Sequence, residues 1–275
     1  MGPFPGRVRR SWRGWVSLWA LLCGAAAFAP GGQGGPGGFV FTENEELVYN
    51  VRYAFFNLGQ IRIKTYGSSM LDGHPVSFTR ALIDSYSGVP FVDLHAVFES
   101  MIDHGMFSRR FMGKIKQDDT WDFSRYYFEY DRERVIVEMG AKDTVITSRD
   151  TVHLAGPCQD GMSLYFFARD GLLSGKTVTI PTMIKEKLSN TTIAFGRGRS
   201  SVEIDAFDYP IDVVEFDGTL DFVGIFGLTG YFEGWFSNDE ARIPIKAKMK
   251  VILGSVTIEL MEYKRAGWLP PRAAE

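Results

Sequence analysis

Ile245-Lys246-Ala247-Lys248-Met249-Lys250-Val251 alternates apolar and lysine side chains without a break. In an extended chain successive side chains point to opposite faces, so this is a strand with one oily face and one row of lysines. Val256, Ile258 and Leu260 resume the alternation on the opposite parity, which requires a turn or bulge near Gly254. The same period recurs upstream at Leu47, Tyr49, Val51 and Tyr53, and at Ile61 and Ile63. Shorter runs centre on Phe78, Phe111, Tyr127, Val135, Val145, Val178, Val202 and Val213. Turn residues separate them at Leu71-Asp72-Gly73, Asp131-Arg132-Glu133, Gly140-Ala141-Lys142-Asp143 and Asp217-Gly218. Short strands at hairpin spacing with one wet face predict antiparallel sheet. Pro244 and the lysines at 246, 248 and 250 suit a strand at a sheet edge.

One segment departs from this period. Asp160-Gly161-Met162-Ser163-Leu164-Tyr165-Phe166-Phe167-Ala168-Arg169 reads as a helix. Asp160 can cap it, Arg169 falls in its last turn, and Gly171 can supply a left-handed C-terminal residue. Large apolar side chains crowd Met162 to Phe167, leaving a narrow polar stripe through Ser163, so the helix needs cover on most sides. The expected fold is therefore mainly β: a curved antiparallel sheet or partly open β-barrel wrapping one buried α-helix.

The ends have a different character. Arg7, Arg9, Arg10 and Arg13 precede an apolar run from Trp15 to Ala29 that closes on Ala27-Phe28-Ala29, the order of a secretory signal over residues 1–29. That run is shorter than the roughly 20 residues that span a bilayer. Cys23 lies inside it, and the bulky Leu22 before it disfavours lipidation. Residues 30–38 form a glycine-rich flexible linker, 39–264 a single antiparallel β domain, and 265–275, with Pro270 and Pro271, a frayed tail. Export is the expected destination: the periplasm first, with outer-membrane association or secretion as alternatives.

Composition excludes several classes. Without residues 1–29 the chain has 26 basic and 33 acidic residues, which argues against a nucleic-acid partner. The 22 Phe and 11 Tyr of the full sequence argue against disorder. Cys158 is then the one remaining cysteine, with no disulfide partner, and reads as a small buried apolar group. His74, His95, His104 and His153 are scattered without ligand spacing, while Asp118-Asp119 and Glu43, Glu45 and Glu46 read as solvated turns, so no metal site is expected. Gly196-Arg197-Gly198-Arg199 is too short for a phosphate loop, so neither a nucleotide nor any other cofactor is expected.

Glu46-Leu47-Val48-Tyr49-Asn50-Val51 with Gly59, then Gln159-Asp160-Gly161-Met162-Ser163-Leu164-Tyr165-Phe166-Phe167-Ala168-Arg169, then Trp235-Phe236-Ser237-Asn238-Asp239-Glu240-Ala241-Arg242-Ile243-Pro244 with Gly254-Ser255-Val256, occur in that order. Together they resemble the motifs of a bacterial envelope family, the domain of unknown function 3108, over roughly Phe39 to Leu260. The resemblance implies exported bacterial proteins, mainly antiparallel sheet, with no established activity. Sheets wrapped around a helix also look like the half-barrels of periplasmic lipoprotein carriers, an analogy of fold alone.

Two motifs could be read as active sites. Gln159, Asp160 and Ser163 offer an amide, an acid and a hydroxyl within one helical turn, but hydrolysis also needs a base and an oxyanion hole. The reading preferred here is a capped helix start. Asp239 and Arg242 are expected to pair across a tight turn with Trp235 packed beneath. No catalytic residue is assigned. The leading expectation is a non-catalytic binder of an apolar ligand, an acyl chain or lipoprotein anchor, lined by Met162, Tyr165, Phe166, Phe167 and Trp235. The alternatives are an envelope protein with a solid core that engages a protein partner, and a hydrolase using Ser163 or a carboxylate pair.

Overall fold

The computed structural model describes residues 40–89, 92–185, 187–223, 229–251 and 254–274. The signal over 1–29 with Cys23, the linker over 30–38 and residue 39 lie outside the described residues. Eight strands precede the helix: β1 Glu46–Tyr53, β2 Phe56–Leu71, β3 His74–Ser85, β4 His95–Asp103, β5 Ser108–Gln117, β6 Thr120–Glu129, β7 Arg134–Ala141 and β8 Val145–His153. The helix α1 spans Gly161–Gly171. Six strands follow it: β9 Thr177–Ile184, β10 Lys187–Val202, β11 Ile211–Val223, β12 Thr229–Ser237, β13 Pro244–Lys250 and β14 Ser255–Lys264.

All 14 strands form one sheet in the order β8-β7-β6-β5-β4-β3-β2-β1-β14-β13-β12-β11-β10-β9, each pair antiparallel. Sequence neighbours pair throughout, except that β8 and β9 form the two open edges and α1 connects them. Laid flat, such a sheet would be about 65 Å wide at about 4.8 Å per strand. The helix is only about 16 Å long at 1.5 Å per residue. Yet its side chains and its N-cap Asp160 bond to Tyr49 of β1, Ser100 of β4, Ser108 of β5 and the Ala241 carbonyl just before β13. One short helix can reach all of these only if the sheet curls around it.

Close cross-strand packing accompanies the curl. Gly218 lies opposite Phe232, and Gly234 opposite Phe216. A Cβ at either glycine would come within 2.4 or 2.1 Å of the facing ring, so the aromatic side chain occupies the space a second side chain would need. Asp217-Gly218 is therefore not the turn the sequence suggests but the middle of β11.

Three further expectations need correcting. First, β13 lies between β12 and β14, so Pro244 and the three lysines do not sit at a sheet edge. Pro244 opens β13 beside a register shift, where a missing ladder donor is tolerated. Second, Gly171 remains in the right-handed region (φ −74°), with the Phe195 ring 2.7 Å from where its Cβ would stand. The left-handed residue is Gly175 (φ 66°), after a 3₁₀ turn over Leu172–Ser174. Third, the tail is tied down. Trp268 is buried, Asp212 N donates to Pro271 O (2.8 Å), and Ala273 N donates to Pro210 O (2.9 Å).

The core has two parts around α1. A large cluster holds Met162 and Phe166 with Phe41, Tyr49, Phe98, Tyr126 and Ile245. A smaller one holds Ala168 and Leu172 with Phe195, Val214, Phe216 and Phe236.

Candidate functional site

The family-like motifs meet at α1. Asp160 stops the preceding strand-like segment and starts the helix. One carboxylate oxygen accepts from Met162 N (2.6 Å) and Ser163 N (2.7 Å), while Asp160 N donates to Ser163 Oγ (2.8 Å), a reciprocal capping box. The other oxygen accepts from Ser100 Oγ (2.7 Å) and Ser108 Oγ (2.5 Å), so the cap also fastens the helix to β4 and β5. Asp160 is fully buried. Desolvation raises its pKa, against the pull of these hydroxyl and amide donors.

Beside it, Gln159 forms a parallel bridge to β9: Gln159 N donates to Pro181 O (2.9 Å) and Met183 N to Gln159 O (2.8 Å). Its buried side-chain amide bonds to neither Asp160 nor Ser163. The Cys158 thiol is buried, and its pKa is pushed up to about 12 by desolvation and then by Asp160. Tyr130 OH donates to the Ser108 and Cys158 carbonyls (2.7 and 3.1 Å), joining this segment to β5.

The C-terminal end is held differently. Arg169 turns inward, fully buried. Its Nη1 donates to Glu45 Oε1 (2.6 Å), and its Nη2 to Glu45 Oε2 (3.2 Å) and Ala241 O (2.9 Å). Arg265 Nη1 donates to the same Glu45 carboxylate, so two guanidiniums share it. Burial works to lower the Arg169 pKa, but the Glu45 charge, followed by Tyr165, outweighs it and the pKa is raised. Glu45 is only 2% exposed, not the solvated turn residue the sequence suggests.

Arg242 closes the same end by donating from Nη1 to Arg169 O (3.3 Å) and to the Asp170 carbonyl. The Asp239 carboxylate takes Arg242 N (3.0 Å), Ser237 Oγ (2.8 Å) and Trp268 Nε1 (2.8 Å). The indole bonded to this turn is therefore Trp268, not Trp235.

Between the two ends, Phe166 is fully buried and stacks on Phe41 (centroids 4.9 Å apart), with Tyr165 edge-on (5.0 Å). Phe167 lies 6.2 Å from Phe195, Met162 is buried, and the Tyr165 and Tyr49 hydroxyls meet at 3.1 Å. Burial pushes the Tyr165 pKa up to about 12. The structure thus brings Met162, Tyr165, Phe166 and Phe167 together. Trp235, half-buried on β12, packs against the same large cluster. Trp235 stands opposite Glu215 and Lys246, and its Nε1 donates to Glu215 Oε1 (3.3 Å).

Two grooves stand out. One of about 310 Å³ is lined by Arg109, Arg110, Tyr127, Glu138 and Arg149 among others, and one of about 80 Å³ by Arg197, Glu215, Glu233 and Trp235 among others. Both are charged, and neither includes a residue of α1. Among the described residues no cluster of His, Cys, Asp and Glu could hold a metal ion, and no helix is long and apolar enough to cross a membrane.

Sequence reasoning missed Glu45, Ser100, Ser108 and Arg265. For Ser100 a signal existed: in Ala96, Phe98, Ser100, Ile102 a hydroxyl occupies the buried parity of a strand, where it needs an internal partner. Glu45 and Arg265 carry no such local mark.

The family model described as a protein of unknown function, DUF3108, matches residues 48–261. No curated protein matches the chain. Among solved structures, a β-barrel-like protein of domain family DUF1849 from Brucella abortus aligns at a TM-score of 0.56, with 12% identity over 80% of this chain and 96% of that one. A candidate lipoprotein from Parabacteroides distasonis gives a TM-score of 0.34, with 10% identity over 82% and 96% of the two chains. A candidate exported protein with a YmcC-like fold from Bacteroides fragilis gives 0.33, with 8% identity over 81% and 96%. The first of these shares the fold.

Proposed function

The chain belongs to the DUF3108 family, whose function is unknown, and on that footing we propose that it is an exported, non-catalytic protein of the bacterial envelope that acts through its outer surface. The observation that carries this reading is the helix. The residues expected to line an apolar pocket instead touch one another and the strands, with Phe166 completely covered. An element bonded at both ends by buried polar groups serves as a fixed filling of the sheet. Ser163 supports the non-catalytic side, because its hydroxyl is buried and engaged in the capping box.

The apolar-ligand reading retains one observation of its own. Leu164, Tyr165 and Phe167 are half-buried rather than sealed, so an acyl chain could lie along that side of the helix. Native mass spectrometry separates the two. The protein would be purified without detergent from the compartment to which it is exported. The bare polypeptide mass is expected. Added mass that organic extraction releases as lipid would overturn the filled-interior reading in favour of a carrier.

A further inference from the structure

We propose that the free edge of β8 is a docking site for an extended acidic segment of a partner polypeptide, which adds to the sheet as a further strand. This rests on the reading that the protein acts through its surface, and it names the surface and the chemistry of the partner.

The two edges of the sheet are unlike. β9 is partly covered, since Gln159 bridges to it at Thr182 and Pro181 within it offers no amide donor. β8 has no strand on its far side among the described residues and contains neither proline nor lysine, its edge charges being Arg149 and the inward Asp150. It is nine residues long, and Val145 and Ile146 at its start are 53% and 50% exposed. Five of the nine residues, Val145, Ile146, Thr147, Thr151 and Val152, are β-branched and suited to pairing. Its unpaired backbone groups are the chemistry that recognises an extended peptide.

Charge selects the kind of peptide. Along one row of the outer face Glu138 sits between Arg125 and Arg149, at 3.8 and 3.6 Å, so one carboxylate serves two guanidiniums. Arg149, on β8 itself, is 64% exposed. A carboxylate opposite Arg149 gives that guanidinium a partner it does not share with Arg125. A second copy of β8 does not. Full-length antiparallel pairing about its centre sets Arg149 against Arg149, and like charges directly opposite are destabilising. On the inward side β8 presents Asp150 between Ser148 and Val152, so the incoming strand should carry acids only at alternate positions.

The test uses the full mature protein, isotope-labelled, with two capped heptapeptides: Thr-Glu-Val-Glu-Val-Glu-Thr and its counterpart with Lys in place of Glu. Amide shifts confined to β8 and its neighbour are expected with the Glu peptide, which should bind at least about threefold tighter than the Lys peptide. Arg149→Glu should invert that preference, and proline in place of both Val residues of the peptide should abolish the shifts. Shifts elsewhere, no shifts, or equal binding of the two peptides would overturn the proposal. So would binding only to vesicles containing phosphatidylglycerol, which would assign the basic face to a membrane. Failure here combined with a bare mass in the mass spectrometer removes this docking site alone, whereas extractable lipid removes the filled-interior reading alone.

Discussion

The two ends of α1 bury opposite charges and stabilise them by opposite means. At the start, Asp160 is surrounded by hydroxyls and backbone amides, with no cation among its hydrogen-bond partners. At the finish, Arg169 faces a carboxylate that is itself shared with a second arginine. Dipolar donors can satisfy every lone pair of a carboxylate yet leave the proton competitive, and the Asp160 pKa is raised accordingly. An opposite charge in a buried site instead holds its partner ionised, and the Arg169 pKa is raised as well. One end is therefore a hydrogen-bonded anchor that carries a titratable group, the other an ion-paired clasp joining the approach to β1, the helix and the tail.

Breaking the clasp should cost most. Arg169→Met removes one guanidinium from a buried carboxylate, a change that costs about 3–5 kcal/mol when one partner of a buried pair is lost. Arg265 remains beside Glu45, which places the expectation at the lower end of that range. Adding Glu45→Gln should recover only part of the loss, because it removes the buried carboxylate but also takes that ion pair from Arg265, which is 12% exposed. Urea unfolding of both single variants and the double one gives the coupling. A coupling indistinguishable from zero would mean that the clasp is only packing.

The other end should respond less, and in a pH-dependent way. Asp160→Ala removes the cap and leaves Ser100 and Ser108 without their acceptor, about 2–3 kcal/mol in all. Asp160→Asn keeps the cap, and the serine hydroxyls can rotate to accept from its amide. The sign of the pH effect follows from the raised pKa. The native state holds the proton more tightly than the unfolded chain, so this stabilisation is fully present below the ordinary carboxylate value of 3.8 and is lost as pH rises through the native value. Relative to wild type, Asp160→Asn should therefore gain stability as pH rises across that window. A difference that stays flat with pH would show that Asp160 titrates alike in the native and unfolded states, and a slope of the opposite sign that it is held ionised.

The contrast between the ends was only half legible in the sequence. The Asp160 cap and its Ser163 partner are local, three residues apart, and the spacing announced them. The Arg169–Glu45 contact joins residues 124 positions apart, and nothing near Glu45 distinguishes it from Glu43 or Glu46. Strand period was equally local and equally readable, as in Ile245–Val251. Whether β13 is an edge or an interior strand depends on which strands lie beside it, a property of the whole sheet. Gly218 misled for the same reason: next to an aspartate it resembles a turn, and only the Phe232 ring across the sheet explains it. Trp235 packs against the large cluster, but that its cross-strand neighbours are Glu215 and Lys246 is a matter of register, which the sequence does not display.

The smallest effect should come from the middle of the helix, where neither end's device operates. Tyr165 OH and Tyr49 OH meet at 3.1 Å, and both pKa values are raised, by burial first. Tyr165→Phe removes little apolar area but leaves the Tyr49 hydroxyl, on a residue only 3% exposed, without that partner. The cost should be about 1 kcal/mol, the net value of one ordinary hydrogen bond. Changing both tyrosines to Phe should cost less than the sum of the single changes, because no orphaned hydroxyl then remains in the core. If Tyr165→Phe instead matched Arg169→Met in urea unfolding, the mid-helix contact would belong to the same network as the clasp. The division of α1 into two independently held ends would then have to be given up.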